Sequence, residues 1–267
     1  MTVAPGERDL LGRLAPFAEH PGRAVVILDF DGTLAPMVDD PPRAVPLPGT
    51  GEVLARLVRC VGRVVVVSGR PAAFLADVLP VDGLTIFGQY GVERLEGAAV
   101  VTDPRARAWA DAVAAAAEEA QATLPDLFVE RKDGIAATLH WRRAPHLEAQ
   151  AVTLGRRLAT THGLRLEPGR LALELRPPMG IDKGSATRTL VVGAHAALVA
   201  GDDHGDLAAY AALSHVVAER RLAHGLRVAV GSAEAPAELL RQADHAVDGP
   251  AGLLTLLAVL ADVLESP

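Results

Sequence analysis

Two carboxylates set two residues apart, Asp29 and Asp31, give the sequence its clearest chemical signal. They follow an apolar, β-branched run at residues 24–28, which predicts a buried strand that ends at the first of them. Side chains two apart on an extended backbone face the same side, so both carboxylates would lie together while Phe30 points into apolar packing. Because close carboxylates repel each other, the pair needs a cation or a shared proton, and Mg2+ fits this need. A simple turn is the alternative for a DxDG segment taken alone.

The complete segment DFDGTL, residues 29–34, resembles the first motif of the haloacid dehalogenase superfamily of phosphotransferases. The resemblance implies that Asp29 is a nucleophile that forms an aspartyl-phosphate. It also implies that Asp31 is a general acid in the first step and a general base in the second. Three further motifs are then expected in order along the chain.

A second β-branched run, residues 64–67, ends at Ser68 and predicts a central parallel strand. A strand, a helix and a second strand in this order form a right-handed unit, so Ser68 would lie at the same sheet edge as Asp29. Ser68 matches the second superfamily motif, and with Gly69 and Arg70 it is predicted to bind the phosphate and the substrate. A helix N-cap is the alternative role for this serine.

Lys183, at the predicted start of a helix, matches the third motif, in which a cation faces the phosphate. The apolar run at residues 196–200 is followed by three acids, which match the fourth motif. Clustered acids after a strand fit a metal better than they fit folding, because unpaired buried carboxylates are costly. The predicted metal-binding residues are Asp29, Asp31 (through its backbone carbonyl), Asp202, Asp203 and Asp206.

The totals of the sequence limit the possible classes of protein. The chain has 267 residues, enough for one large or two modest domains, and 50% of them are apolar. A formal net charge of −7 with scattered cations argues against nucleic-acid binding. Cys60 has no partner for an intramolecular disulfide. No apolar run approaches a membrane span and the N-terminus lacks a signal-peptide layout, so we expect a cytoplasmic monomer that does not bind membranes.

Strands and helices alternate through residues 1–102 and 181–267, which predicts an α/β core. With the four motifs, this core resembles the Rossmann-like haloacid dehalogenase fold, a parallel sheet with helices on both faces. The expected domain is discontinuous in sequence, because a segment of different character interrupts it.

Residues 103–180 form that segment, in which each of two helices precedes a hairpin. The helices are predicted at 104–124 and 145–162, and the hairpin turns at Asp-Gly 133–134 and Pro-Gly 168–169. This pattern predicts one antiparallel sheet covered by two helices. Its position inside the core resembles an inserted α+β cap domain of the C2B type.

Most of the chain is also similar to the trehalose-phosphate phosphatases. The similarity is carried by DFDGTLAP, SGRP, the GxYGVE-like segment at 88–93, VERK before HWR, LELRP, DKG and GDD. It implies trehalose 6-phosphate as a small-molecule substrate, Mg2+ as cofactor, and cap side chains that bind the sugar. The residues implied are Glu130, Lys132 and Glu174, with His140, Arg142 and Arg176 as further candidates. The alternative is that these are solvated or paired charges on strands, with Glu130 and Lys132 on one face.

One departure from that family follows the fourth motif. The family usually continues GDD with Thr-Asp-Glu, whereas this chain has His204, an acid retained at Asp206, and then Leu207. Metal affinity or turnover would be reduced if the replaced acid supports the metal. Two other functions stay open: a phosphatase for another sugar phosphate, such as sucrose 6-phosphate or mannosyl-glycerate phosphate, and a non-catalytic sugar-phosphate sensor. Loss of Asp29 or Asp31 would mark the sensor, and both are intact.

Overall fold

The computed structural model describes residues 5–38, 40–132, 134–169, 171–232 and 235–266. The chain divides into two compact units, Met1–Val100 with Ile181–Pro267, and Val101–Gly180. In the described ranges no helix is long and apolar enough to cross a membrane.

The strands and helices are numbered in chain order. The strands are β1 (Ala24–Leu28), β2 (Arg63–Val67), β3 (Thr85–Gly88), β4 (Glu93–Glu96), β5 (Ala99–Thr102), β6 (Phe128–Lys132), β7 (Ala136–His140), β8 (Arg165–Gly169), β9 (Ala172–Arg176), β10 (Ala196–Gly201), β11 (His224–Gly231) and β12 (His245–Asp248). The helices are α1 (Pro5–Glu19), α2 (Thr50–Cys60), α3 (Ala72–Val78), α4 (Pro104–Arg107), α5 (Ala110–Thr123), α6 (Glu148–His162), α7 (Lys183–Leu190), α8 (Asp206–Ala218), α9 (Ala237–Gln242) and α10 (Gly249–Glu265).

The first unit is built on a sheet with strand order β12-β11-β10-β1-β2-β3-β4-β5. Strands from β12 to β3 run parallel, and β4 pairs antiparallel with β3. All five residues of β1 are buried, because a central parallel strand is covered on both faces. The predicted α/β class with a parallel central sheet is confirmed.

Alternation along β1 sends side chains into two apolar layers. Val26 and Leu28 join a cluster that includes buried residues of α1, α2, α3 and α10. Val25 and Ile27 join a cluster that includes buried residues of α7, α8 and α9. The sheet is therefore the middle of a three-layer unit, and its strand ends are held by packing on both sides.

The register of the sheet fixes which residues share an edge. Leu28, the last residue of β1, pairs with Ala200 of β10 and with Val66 of β2. The carboxyl ends of these three strands therefore lie side by side. The residues that follow them are Asp29, Ser68 and Asp202, as the sequence predicts.

The second unit contains an antiparallel sheet with strand order β6-β7-β9-β8. One face of this sheet packs against α5 and α6. Leu139 of β7 and Leu175 of β9 lie in the same apolar cluster as Leu158 of α6. The other face carries polar side chains on the alternate positions, among them Glu130 opposite Thr138. This arrangement matches the predicted antiparallel sheet with two helices.

Two local predictions in this unit were inaccurate. The single helix expected at 104–124 is broken into α4 and α5 by a turn at 108–109. The Pro-Gly pair at 168–169, predicted to be a hairpin turn, instead belongs to β8, because Pro168 pairs with Leu173 and Gly169 pairs with Ala172. The other predicted turn includes Asp133, which lies outside the described residues, while Gly134 has the positive φ of 73° expected of a hairpin turn.

Candidate active site

Lys183 lies between two buried carboxylates at the edge where β1 and β10 end. Its Nζ is 2.8 Å from Oδ1 of Asp29 and donates to Oδ1 of Asp206 at 2.7 Å. The lysine is fixed at the first position of α7 by a capping box, in which Asp182 accepts from the backbone N–H of Ser185 and the serine hydroxyl accepts from the backbone N–H of Asp182. All three charged side chains are nearly fully buried.

Burial dominates the electrostatics of this cluster. It raises the pKa of Asp29 to about 8, against the opposing effect of Lys183. Burial also raises the pKa of Asp206 well above its usual range. Burial lowers the pKa of Lys183, but Asp206 and Asp29 outweigh it and raise that pKa well above its usual value. One ammonium group is therefore too little positive charge for the carboxylates around it.

The oxygen atoms of Asp29, Asp202 and Asp206 lie within 4.8 Å of one another, close enough to hold one metal ion. Three buried carboxylates with oxygen-only donors and an excess of negative charge fit a hard divalent cation. The side chain of Asp203 is 47% exposed and is not one of these three, and its Oδ1 accepts from the N–H of Gly205. Burial raises the pKa of Asp203, but Lys183 and hydrogen bonds to N–H groups outweigh it and lower that pKa overall.

Two glycines, which have no side chain, leave room for the carboxylates of Asp202 and Asp206 to lie against the backbone. A Cβ atom on Gly32 would lie 2.0 Å from Oδ2 of Asp202, and Gly32 has a φ of 75°. A Cβ atom on Gly201 would lie 2.0 Å from Cγ of Asp206. Thr33 also donates to Oδ1 of Asp202 at 3.3 Å. Sequence reasoning did not identify the contacts of Gly32 and Thr33 with Asp202, because they join two segments about 170 residues apart in the chain.

The carboxylate of Asp31 is held by Arg70 and is not one of the three acids of the cluster. Nε and Nη2 of Arg70 donate to Oδ2 and Oδ1 of Asp31 at 2.7 and 2.6 Å. Ser68 is 1% exposed, and its hydroxyl accepts from the N–H of Arg70 at 3.2 Å. A Cβ atom on Gly69 would lie 2.5 Å from the phenol oxygen of Tyr90, so the tyrosine ring occupies the space above this glycine.

The segment after β3 braces the loop that follows β2. Gln89 and Tyr90 both have positive φ angles, 50° and 61°. Their N–H groups donate to the carbonyl oxygens of Arg70 and Ser68 at 2.9 and 2.8 Å. The GxYGVE-like pattern marked this segment in the sequence, but nothing in the pattern indicated its contacts with Ser68 and Arg70.

Glu93, the last residue of the same pattern, holds the start of α3. It is 3% exposed, and its Oε2 accepts from the N–H of Ala72 at 2.7 Å. An acid at this position satisfies one of the free N–H groups of the first helical turn and complements the helix dipole.

The predicted sugar-binding residues lie on the polar face of the second unit's sheet. Nζ of Lys132 donates to Oε1 of Glu174 at 2.6 Å, and both are buried. Nε2 of His140 lies 2.8 Å from Oε2 of Glu130. The charges are therefore paired across strands, and Glu130 and Lys132 each have a carboxylate or imidazole partner on another strand. Oε2 of Glu174 is buried and has no hydrogen-bond partner within the described part of the chain.

The structure also places four other residues that the sequence analysis named: Arg142, Arg176, His204 and Leu207. Arg142 and Arg176 are half-buried and lie after β7 and at the end of β9. His204 is exposed and lies in the turn between β10 and α8. Leu207, which stands where the family has an acid, packs partly buried against an apolar layer of the first unit.

Comparison with known proteins identifies related chains. Residues 27–243 match the family model for trehalose-phosphatase. A trehalose-phosphate phosphatase of Mycobacterium avium is 32% identical over 209 residues, which cover 73% of this chain and 51% of that protein. An uncharacterised glycosyl hydrolase of Mycobacterium tuberculosis is 35% identical over 170 residues, which cover 61% of this chain and 13% of that protein. The chain thus spans about half or less of the length of these curated relatives.

Solved structures show the same fold. The C-terminal domain of a Candida albicans trehalose-6-phosphate phosphatase superposes with a TM-score of 0.80 at 22% identity, over 95% of this chain and 97% of that one. A haloacid dehalogenase-like hydrolase from Bacteroides thetaiotaomicron gives a TM-score of 0.62 at 18% identity, over 89% of this chain and 99% of that one. The chain therefore has the haloacid dehalogenase fold.

Proposed function

Because the chain belongs to the trehalose-phosphatase family, we propose that it hydrolyses trehalose 6-phosphate to trehalose and phosphate in trehalose biosynthesis. The observation that carries this proposal is the buried cluster of Asp29, Lys183, Asp202 and Asp206 at one sheet edge. Such a cluster of carboxylates is costly to bury unless a cation binds beside it, and perturbed acids of this kind are typical of functional sites.

The first unit supplies the residues for a metal-assisted phosphoryl transfer. Asp29 and Asp202, with the backbone carbonyl of Asp31, would hold Mg2+, and Asp203 and Asp206 complete the acidic surroundings. When bound, Mg2+ reduces the negative charge on the phosphoryl oxygens. The fit rests on three buried carboxylates faced by a single lysine.

Asp29 is the nucleophile in the proposed first step. One of its carboxylate oxygens attacks phosphorus in line, the bond from phosphorus to the sugar oxygen breaks, and an aspartyl-phosphate forms. Asp31 donates its proton to the departing sugar oxygen. In the second step water attacks phosphorus, Asp31 accepts the proton of that water, and Asp29 is released.

Ser68 and Lys183 stabilise the charge on the phosphoryl oxygens during both steps. Hydrogen-bond donors fixed in advance contribute most of the catalysis in phosphoryl transfer. Ser68 is suited to this role because its loop is tied down by the N–H groups of Gln89 and Tyr90. The N–H of Gly69 lies in the same loop and is a further candidate for the phosphate.

The second unit is the proposed cap that recognises the sugar. Its polar sheet face offers carboxylates and cations, which bind sugar hydroxyls by charge-assisted hydrogen bonds. The buried Oε2 of Glu174, without a partner among the described residues, supports this role. The proposed sugar-binding residues are Glu130, Lys132, His140, Arg142, Glu174 and Arg176.

The test is phosphate release by the purified chain with Mg2+. The substrates are trehalose 6-phosphate, glucose 6-phosphate, sucrose 6-phosphate and p-nitrophenyl phosphate, with EDTA as control. We expect a strong preference for trehalose 6-phosphate that EDTA abolishes. Equal turnover of all four substrates would leave a phosphatase without the proposed sugar specificity, and full activity of Asp29→Asn would overturn the nucleophile.

A further inference from the structure

Asp31 is fixed by a bidentate ion pair. Nε of Arg70 donates to Oδ2 of Asp31 at 2.7 Å, and Nη2 donates to Oδ1 at 2.6 Å. Two parallel hydrogen bonds fix the plane of a carboxylate as well as its position. The side chains of Arg70 and Asp31 are only 13% and 27% exposed, so the pair is largely shielded from competing water.

Aromatic rings hold the arginine in turn. Cζ of Arg70 lies 4.9 Å from the centre of the Phe74 ring, a cation–π contact. The Phe74 ring meets the fully buried ring of Phe30 edge to face at 5.9 Å. Phe30 directly precedes Asp31 in the chain, so the contacts form a closed circuit through four residues. We call Phe30, Asp31, Arg70 and Phe74 the positioning circuit.

The positioning circuit connects the segment of the proposed nucleophile with the proposed phosphate-binding loop. Phe30 separates the nucleophile Asp29 from Asp31 and is anchored in the apolar layer that includes α3. Arg70 follows the phosphate-binding Ser68 by two residues and receives the N–H of Gln89 on its carbonyl oxygen. A rigid arginine at this point sets the direction of the Asp31 carboxylate without needing to touch phosphorus or its oxygens.

We infer that Arg70, supported by Phe74, is a positioning residue that aims Asp31 at the oxygen of the departing sugar. The inference rests on the proposed function, in which protonated Asp31 donates to that oxygen as its bond to phosphorus breaks. Each Asp31 oxygen accepts one hydrogen bond from Arg70 and keeps a second lone pair for the proton, and the charge of Arg70 favours the carboxylate that the transfer leaves. It replaces the sequence-based expectation that the Arg70 side chain binds substrate. Phe74, which the sequence analysis does not single out, becomes a residue that holds Arg70 in place.

The leaving group distinguishes this role from phosphate binding. A sugar alkoxide leaves only with a proton, whereas p-nitrophenolate leaves without one, so only the first reaction needs a well-aimed Asp31. The first turnover is measured with excess enzyme and Mg2+, by quenched flow for trehalose 6-phosphate and by absorbance for p-nitrophenolate release. This readout excludes the second step, in which both substrates share the same phosphoenzyme.

The variants are Arg70→Ala and Phe74→Leu. We expect Arg70→Ala to slow the sugar substrate about 100-fold and the aryl substrate about threefold. Phe74→Leu should slow the sugar substrate about tenfold with the same selectivity, because it removes the cation–π contact. Arg94→Ala, on an exposed arginine of β4, and Phe17→Leu, on the buried face of α1, are control variants that should leave the ratio of the two rates unchanged.

Three results would contradict the inference, two of them kinetic and one structural. Equal loss on both substrates would make Arg70 a phosphate-binding or folding residue. A rise only in the enzyme concentration that half-saturates the first turnover of trehalose 6-phosphate would make it a sugar-binding residue. If the wild type hydrolyses aryl phosphates but not trehalose 6-phosphate, the proposed substrate fails, and glycerol phosphate then replaces it as the alkyl substrate. A crystal structure of Phe74→Leu tests the positioning circuit without an activity measurement. Arg70 should lose its bidentate contact with Asp31 in this variant. An unchanged contact would show that Phe74 does not hold Arg70 in place.

Discussion

Nζ of Lys183 lies 2.8 Å from Oδ1 of Asp29, and both side chains are almost completely buried. Only two of the chain's 26 lysine and arginine residues are lysines, and the second, Lys132, is buried against Glu174 at 2.6 Å. Lysine is a compact point charge, whereas arginine is a wide planar fork that would not fit between two carboxylates so easily. Each lysine of the chain thus neutralises acid at a place where we propose that substrate binds.

Replacement of Lys183 by Met should destabilise the protein in a pH-dependent way. The change keeps the volume of the side chain but leaves Asp29 and Asp206 without their shared cation. Breaking a buried ion pair costs about 3 to 5 kcal/mol, and we expect a loss of that order in the free energy of unfolding at pH 8 in EDTA. At pH 5 the loss should be smaller, because both carboxyls can take up protons. Urea unfolding at the two pH values measures it, and an equal loss at both would contradict the explanation.

Mg2+ should stabilise the protein more at higher pH. Burial raises the pKa of Asp29 to about 8, whereas the unfolded chain has an ordinary aspartate pKa of about 3.9. Between these values the folded protein holds a proton that the unfolded chain has lost, so without metal this group makes stability fall as the pH rises. Mg2+ needs the ionised carboxylate and must displace that proton below about pH 8.

The measurement is the increase in Tm caused by Mg2+ at a series of pH values. We expect the increase to grow from about pH 6 to pH 8 and then to level off. Asp29→Asn has no carboxyl to titrate at this position, so its response to Mg2+ should be smaller and should vary less with pH. An Mg2+ effect on the wild type that is the same at pH 6 and pH 8 would exclude Asp29 as the titrating ligand.

The positions of the proposed catalytic residues were largely predictable from the sequence. A parallel strand is buried on both faces, so its apolar run ends sharply where it reaches the sheet edge, and Asp29, Ser68 and Asp202 follow such ends. The capping box that opens α7 at Lys183 is likewise a local signal.

Contacts between distant segments were not predictable in the same way. The fit of Gly32 against Asp202 and the pairing of Arg70 with Asp31 depend on how separate strands come together. The break between α4 and α5 leaves no signal in an alanine-rich run, because alanine favours helix on both sides of it. The Pro-Gly pair at 168–169 was wrongly predicted to be a turn, because the local turn preference of these residues is outweighed by their pairing with β9.

Removal of the Lys132 ammonium should affect the sugar and not the phosphate. Lys132→Met leaves Glu174 buried without its partner, and the two are among the residues proposed to bind trehalose. We expect KM for trehalose 6-phosphate to rise about tenfold or more, as for loss of a charge-assisted hydrogen bond, with p-nitrophenyl phosphate turnover almost unchanged. Arg131→Met is the matched control, because this neighbouring side chain is 52% exposed. A parallel loss on both substrates would show that Lys132 supports folding instead.

Replacement of Gly32 by Ala should abolish activity through a steric clash. The new Cβ atom would lie 2.0 Å from Oδ2 of Asp202, which must then leave its place beside Asp29. The φ of 75° adds strain of about 1 kcal/mol for any other residue, and this cost must be separated from the clash.

Gly193→Ala provides that separation. Gly193 has a φ of 76°, and a Cβ atom there would meet nothing within 4 Å. Both variants should lose similar stability from backbone strain, but only Gly32→Ala should lose Mg2+-dependent phosphate release and the Mg2+-induced rise in Tm. Because strain is matched between the two, an active Gly32→Ala enzyme would mean that Asp202 can move without loss of the metal, and the three-acid cluster would have to be revised.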